Sequence, residues 1–156
     1  MTTLDEKDRE ILDCMQRNGR ATYAEIGAAV GLAASSVHER VRKLEARGII
    51  TGYGPRIDHA QLGLKLTAFV SLVTNVSCSI LAPMIRDWPE VVEYHTVAGD
   101  ECAVLKVRTA DPEGLQSLLE RLRDIPGVER TRSTVVLRTR WEEGDQPLPV
   151  ALQEAG

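Results

Sequence analysis

The sequence predicts an α+β chain of two small domains: three N-terminal helices, then a βαββαβ unit whose four strands form one antiparallel sheet. Three observations predict it. Apolar residues recur at helical spacing through the first 50 residues. From residue 64 they alternate with their neighbours, as in half-buried strands. In the second half the pattern Arg-Asp-x-Pro-x-Val occurs twice, as Arg86-Asp87-Trp88-Pro89-Glu90-Val91 and as Arg123-Asp124-Ile125-Pro126-Gly127-Val128.

Each element has its own signal. Leu4, Ile11, Leu12 and Met15 recur at roughly helical spacing, with Asp5 placed to cap the helix start and Asn18-Gly19 to end it with residues that tolerate a left-handed conformation. Thr22-Tyr23-Ala24-Glu25 is a capping box, in which Thr22 and Glu25 satisfy each other's backbone N–H. It opens a second helix bearing Ile26 and Val30, which stops at Gly31. A third helix runs to about residue 47 with Val37, Val41 and Leu44 on one face, and Gly48 closes it. Ala33 and Ala34 stand where a capping Ser or Asp is expected. Residues 51–63 read as a linker strand interrupted by Gly52, Gly54 and Pro55.

Leu64, Leu66, Ala68, Val70 and Leu72 then form one face of a strand. A helix over 79–88, a strand over 91–98, a turn at Gly99-Asp100-Glu101 and a strand over 103–109 follow. Pro112 suits the first turn of a helix reaching about residue 124, and a last strand spans 128–139. Leu81 with Leu118, and Ile85 with Leu122, share the 37-residue offset of the repeated pattern. In each copy Pro ends a helix and Val starts a strand. Chance likeness of helix-Pro-strand junctions is the alternative. Two tandem βαβ units give the ferredoxin-like arrangement. The expected domains are 1–50, a three-helix winged-type helix-turn-helix; 51–63, a linker strand; 64–141, the ferredoxin-like domain; and 142–156, a mobile tail.

Composition narrows the class. Of 156 residues, 43% are hydrophobic and 27% charged, ordinary for a globular protein. No apolar run approaches a membrane span, so no membrane partner is expected. The start, MTTLDEKDREIL, lacks a secretory pattern, and a cytoplasmic location is expected. Cys14, Cys78 and Cys102 are odd in number and widely spaced, which favours reduced thiols over a disulfide framework or a zinc site. The net charge is −4. Residues 1–60 balance nine basic against nine acidic side chains, so the deficit lies in the second half. A duplex-binding surface needs only local basic charge.

Three short helices with a Gly-containing turn between the second and third fit a helix-turn-helix, which would take double-stranded DNA as partner. With Val37, Val41 and Leu44 inward, Ser35, Ser36, Glu39, Arg42 and Lys43 face outward and His38 lies on the flank. Ser35, Ser36, His38 and Glu39 are candidates for base edges, Arg42 and Lys43 for phosphates. Thr22 and Tyr23, at the start of the second helix, are further phosphate candidates. The same face reads also as a merely solvated helix surface, in which Glu39 pairs with Arg42 or Lys43. Arg40, at the core edge, reads as a structural ion-pair residue.

These residues resemble a family. Leu4-Asp5, Asp8 and Ile11-Leu12, then Thr22-Tyr23-Ala24-Glu25-Ile26-Gly27, Gly31-Leu32, Ser35-Ser36-Val37, Arg40-Val41, Leu44-Glu45 and Gly48-Ile49-Ile50 resemble the Lrp/AsnC (feast/famine) regulators. Gly52-Tyr53, Asp58 and Val97-Ala98-Gly99-Asp100 extend the likeness over about residues 4–140. The resemblance implies a transcription regulator that dimerises through its C-terminal sheets and assembles further, commonly to an octamer. It implies no cofactor but a small effector, usually an amino acid, bound between dimers near the Gly-Asp turn. By position that loop is Ala98, Gly99, Asp100, Glu101 and Cys102, with Arg132-Ser133-Thr134 matching a second region of the pocket. The chain departs from the family at Cys102-Ala103, where many members have Asp then an aromatic, and at Ala33, where many have Ser.

Physical chemistry supports the loop. Gly99 permits close backbone approach, and neighbouring N–H groups are suited to a carboxylate. Asp100 or Glu101 suits an ammonium group, and Ser133 and Thr134 are donors. An ordinary hairpin turn is the plain alternative. Two other functions compete. One is a tetrapyrrole (sirohaem) decarboxylase-like enzyme on the same architecture. The chain offers it only His38, His59 and His95, and no catalytic or metal-ligand set is identified. The other is a non-specific architectural DNA-binding protein, for which more basic charge is expected.

Overall fold

The computed structural model describes residues 4–142. The chain divides into two compact units, with the division falling between Arg56 and Ile57, inside the expected linker.

The N-terminal unit holds α1 (Glu6–Arg17), α2 (Tyr23–Val30) and α3 (Ala34–Ala46). Asp5 caps α1 by accepting the Asp8 N–H at 2.7 Å. The capping box forms in full at α2: Glu25 N–H donates to the Thr22 hydroxyl oxygen, and Thr22 N–H donates to Glu25 Oε2. Gly31 ends α2 in the left-handed region at φ 72°. Ala33 gives α3 no side-chain cap. Ile11, Ile26, Val30, Val37 and Val41 meet as one buried cluster, which is what the periodicity of the three helices encodes.

Asn18 ends α1 as expected, at φ −138°, its N–H donating to Cys14 O. One expectation about this unit does not hold. No strand is assigned among its described residues, so the wing and the linker strand over 51–63 are absent as regular structure: 51–58 is irregular and 59–63 forms turns. Gly52, Gly54 and Pro55 account for this, since glycine weakens a strand and proline cannot donate to a ladder. Tyr53 is nevertheless anchored, its hydroxyl donating to Glu45 Oε1 of the α3 helix at 2.7 Å.

The second unit runs β1 (Leu66–Thr74), α4 (Cys78–Ile85), β2 (Val91–Thr96), β3 (Ala103–Thr109), α5 (Pro112–Arg123) and β4 (Val128–Val135). The strand order is β2-β3-β1-β4 with every pair antiparallel, the ferredoxin-like topology. Ala68, Val70 and Leu72 of β1 and Ala103, Leu105 and Val107 of β3 are fully buried under the helices. The repeat positions fill equivalent places, since Leu81 and Ile85 of α4 and Leu118 and Leu122 of α5 are all at most 1% exposed.

β2 and β4 stop short of the expected 98 and 139. Thr96 pairs with Ala103, the first residue of β3, so β2 reaches the end of its partner. The last pair of β4 is Val135 with Ala68, although Val136 N–H still donates to Thr67 O at 2.9 Å. The helix expected over 79–88 ends at Ile85 and closes in a turn, Trp88 N–H donating to Ile85 O. The cysteines also depart from expectation. Cys78 and Cys102 come together as a pair with Cα atoms 6.2 Å apart, and Cys14 is the free one. The tail expected from residue 142 lies, after Glu142 itself, outside the described residues.

Candidate functional site

The first candidate surface is the outer face of α3. Val37, Val41 and Leu44 are fully buried, and this fixes the rotation of the helix. Ser35, Ser36, His38, Glu39, Arg42 and Lys43 are consequently all exposed, as their spacing requires. Ser35, Ser36, Glu39 and Lys43 line one open concavity of about 610 Å³. No ion pair joins Glu39 to Arg42 or Lys43 among the described residues, so the self-paired surface considered above does not form.

Arg40 holds this helix against α1. Its guanidinium donates to both Asp5 and Asp8, with Asp8 Oδ1 at 2.7 Å. The Arg40 hydrogen bond, reinforced by the Asp8 backbone N–H, keeps the Asp5 carboxyl below its ordinary value of 3.8. The two aspartates likewise push Arg40 up. Arg40 is thus the structural residue the sequence suggests. Asp5 acts twice, capping α1 and anchoring α3.

Tyr23, at the first turn of α2, lies beside His38 of α3 with ring centroids 5.4 Å apart. Thr22 is also at this end, but its hydroxyl donates to Glu25 Oε2 at 2.8 Å and its one proton is already used. Gly27, which enters above only through the family resemblance, has a packing role that sequence reasoning did not assign. A β-carbon there would stand 2.4 Å from the Leu32 carbonyl oxygen, so the close approach of α2 to the turn before α3 depends on it. The only sequence signal is a glycine inside a short helix.

The second candidate surface is the β2–β3 connection. Ala98, Gly99 and Asp100 are exposed, and Gly99 has φ 147°, a conformation that disfavours side chains. Cys102 N–H donates to Leu72 O at 2.8 Å, and Val97 N–H to Cys102 O. Glu101 forms an ion pair with Arg132 of β4 at 3.2 Å. Of the two acids expected to serve an ammonium group, Glu101 therefore already has a cationic partner.

The structure does not bring Ser133 and Thr134 to this loop. Ser133 pairs with Val70 and Thr134 with Phe69, whereas the loop leaves the sheet at Leu72 and Ala103. Ser133 and Thr134 also point to opposite faces of the sheet, because side chains alternate along a strand. The face not covered by α4 and α5 carries Phe69, Thr134 and the group Glu93, His95 and Lys106. Glu93 accepts from Lys106 at 3.1 Å and lies 3.1 Å from His95 Nε2; these contacts, His95 foremost, hold the Glu93 carboxyl below its ordinary value. His95, the histidine weighed for catalysis, thus stands in an exposed ionic cluster. Among the described residues no cluster of His, Cys, Asp or Glu could hold a metal ion. No helix among them is long and apolar enough to cross a membrane.

Comparison with known proteins decides the family. Residues 4–45 match the AsnC-type helix-turn-helix domain, and residues 67–145 the Lrp/AsnC ligand binding domain. The chain belongs to the Lrp/AsnC family of transcriptional regulators. The chain is 37% identical over 146 residues to the HTH-type transcriptional regulator FL11 of Pyrococcus horikoshii, covering 93% of this chain and 97% of that one. It is 40% identical to the HTH-type transcriptional regulator LrpA of Mycobacterium tuberculosis, over 90% of this chain and 94% of that one.

Among Lrp/AsnC structures, the feast or famine regulatory protein of M. tuberculosis complexed with L-methionine superposes with a TM-score of 0.85. It is 36% identical, over 94% of this chain and all of that one. A transcriptional regulator of Neisseria meningitidis, also in complex with L-methionine, gives 0.87 at 28% identity, over 96% and 98% of the two chains. The helix-turn-helix architecture and the ferredoxin-like domain are therefore those of Lrp/AsnC regulators throughout.

Proposed function

We propose that this Lrp/AsnC regulator reads double-stranded DNA with the outer face of α3 and responds to a small amino acid held at the 98–102 loop. The observation that carries the first half is the single open surface of Ser35, Ser36, Glu39 and Lys43 on a helix fixed by Arg40, Asp5 and Asp8. Ser35, Ser36, His38 and Glu39 address base edges in the major groove, and Arg42 and Lys43 address phosphates. The exposed start of α2 adds a phosphate contact through the Tyr23 hydroxyl and the first amides of the helix. Thr22 shapes that end more than it binds. Selection of bound fragments from a random DNA pool tests this reading. A sequence motif is expected to emerge; an unenriched pool would favour a non-specific architectural protein.

The effector reading draws on the L-methionine complexes of the two structural neighbours and on the exposed Gly99 backbone beside Asp100. Asp100 takes the ammonium group and the amides around Gly99 take the carboxylate. Ser133 and Thr134 enter such a pocket only from another copy of the chain. This supports a homodimer built through the sheets and a larger ring, of which the octamer is the form we propose. The protein acts in the cytoplasm on this reading. A thermal-shift screen of the twenty amino acids, paired with sedimentation, tests it. One or a few amino acids are expected to raise the melting temperature, in an assembly larger than a monomer. A monomer indifferent to all twenty would remove both parts.

A further inference from the structure

Cys78 and Cys102 lie 24 residues apart in sequence, at a spacing that suggests no pairing. The fold brings them to one end of the sheet. Cys102 follows the exposed 98–100 bend and is held beside β1 by its N–H bond to Leu72 O. Cys78 is the first residue of α4, and Tyr94 of β2 donates to its carbonyl oxygen at 3.2 Å. The Cα separation of 6.2 Å falls within the roughly 4.4–6.8 Å that protein disulfides span. Both side chains are half-buried at the edge of the core, so each keeps some access to solvent.

We propose that Cys78 and Cys102 form a reversible disulfide under peroxide and that this crosslink fixes the 97–101 loop to α4. The consequence for effector binding rests on the reading given above; the crosslink itself does not. The chemistry balances with hydrogen peroxide as oxidant. One thiolate attacks the O–O bond, giving a sulfenic acid and, after proton uptake, one water. The second thiolate attacks that sulfur, the S–S bond forms, and the hydroxyl leaves as a second water. Two thiols are oxidised by two electrons and one peroxide is reduced. A dithiol reverses the step by exchange.

The loop is the part that changes. It is held by backbone bonds at Val97 and Cys102 and by the Glu101–Arg132 pair, which is exposed on the arginine side. A covalent tie at Cys102 restrains Gly99 and Asp100 from the adjoining side. An effector that needs the loop to adjust binds the tied form less well.

The full chain, treated with hydrogen peroxide and freed of excess, is labelled with maleimide and digested with trypsin. Cleavage after Lys65, Arg86 and Lys106 separates the two cysteines into peptides 66–86 and 87–106. These peptides are expected joined after peroxide and separate after dithiothreitol, with Cys14 still labelled in both. Amide exchange over 97–101 is expected to slow on the order of tenfold in the oxidised protein, and Cys78→Ser is expected to abolish both effects. Cys78 and Cys102 that stay separately labelled, or become sulfinic acids without joining, overturn the proposal. So does a joined pair with unchanged exchange.

Calorimetry with L-methionine separates the two readings. No binding to the reduced protein counts against methionine as effector and leaves the crosslink result standing. Binding to the reduced protein is expected to weaken on the order of tenfold on oxidation of the wild type but not of Cys78→Ser.

Discussion

Gly27 carries a demand that no periodicity shows. A methyl group there meets the Leu32 carbonyl oxygen at 2.4 Å, a backbone atom that cannot step aside. Gly27→Ala is expected to destabilise the helical unit by about 1–3 kcal/mol through overpacking, read as earlier denaturant unfolding of α1–α3 by hydrogen exchange. Asp5 makes a second demand. Its carboxyl is held below 3.8 in the folded protein, chiefly by Arg40, so the unfolded chain takes up the proton more readily. The stabilisation is present above 3.8 and is lost as pH falls through the lower folded value. Thermal melts of wild type and Asp5→Asn are expected to differ near neutral pH and to converge in acid; a constant difference would show that the Asp5 charge is not responsible. Arg40 was legible as a structural residue from its place at the core edge. The Cys78–Cys102 pair was not, because topology rather than spacing brings the two together.

Helix periodicity and capping chemistry specify α1, α2 and α3 almost to the residue, and the Thr22–Glu25 box forms as its sequence pattern requires. Strand ends were less legible. β2 ends where Thr96 meets Ala103, the first residue of β3, whereas regular pairing of β4 ends at Val135 although Val136 N–H still donates to Thr67 O. The wing and linker strand failed because Gly52, Gly54 and Pro55 weaken a segment that has no ladder to join. The repeat was legible because its equivalent leucines do the same work. Leu81→Ala and Leu118→Ala are each expected to cost about 2–5 kcal/mol, measured by chemical denaturation of the second unit. A large inequality between them would count against the two halves being structural equivalents. On α3, Arg42 faces outward near the C-terminal half. Arg42→Ala is expected to weaken binding to all DNA sequences and to lower the salt slope by about one. Unchanged affinity across several salt concentrations would misplace the helix.

At the scale of the whole molecule, two units share the labour. The helical unit is charge-balanced over its sequence, and the acidic excess sits beyond residue 60. That distribution lets an overall negative chain present a local face to a polyanion. The family match covers both units, so the regulator reading rests on the chain as a whole and not on the helix-turn-helix alone. Ser133 and Thr134, proposed for the effector site, pair with Val70 and Phe69 along β4.

The central claim is that α3 reads sequence. Selection from a random DNA pool, run in parallel on wild type and Glu39→Ala, tests it most directly. The wild type is expected to enrich one motif, and Glu39→Ala to enrich a motif changed at a few positions and otherwise the same. An identical motif from both proteins would contradict the assignment of Glu39 to base edges, and no motif from either would contradict sequence reading by α3 altogether.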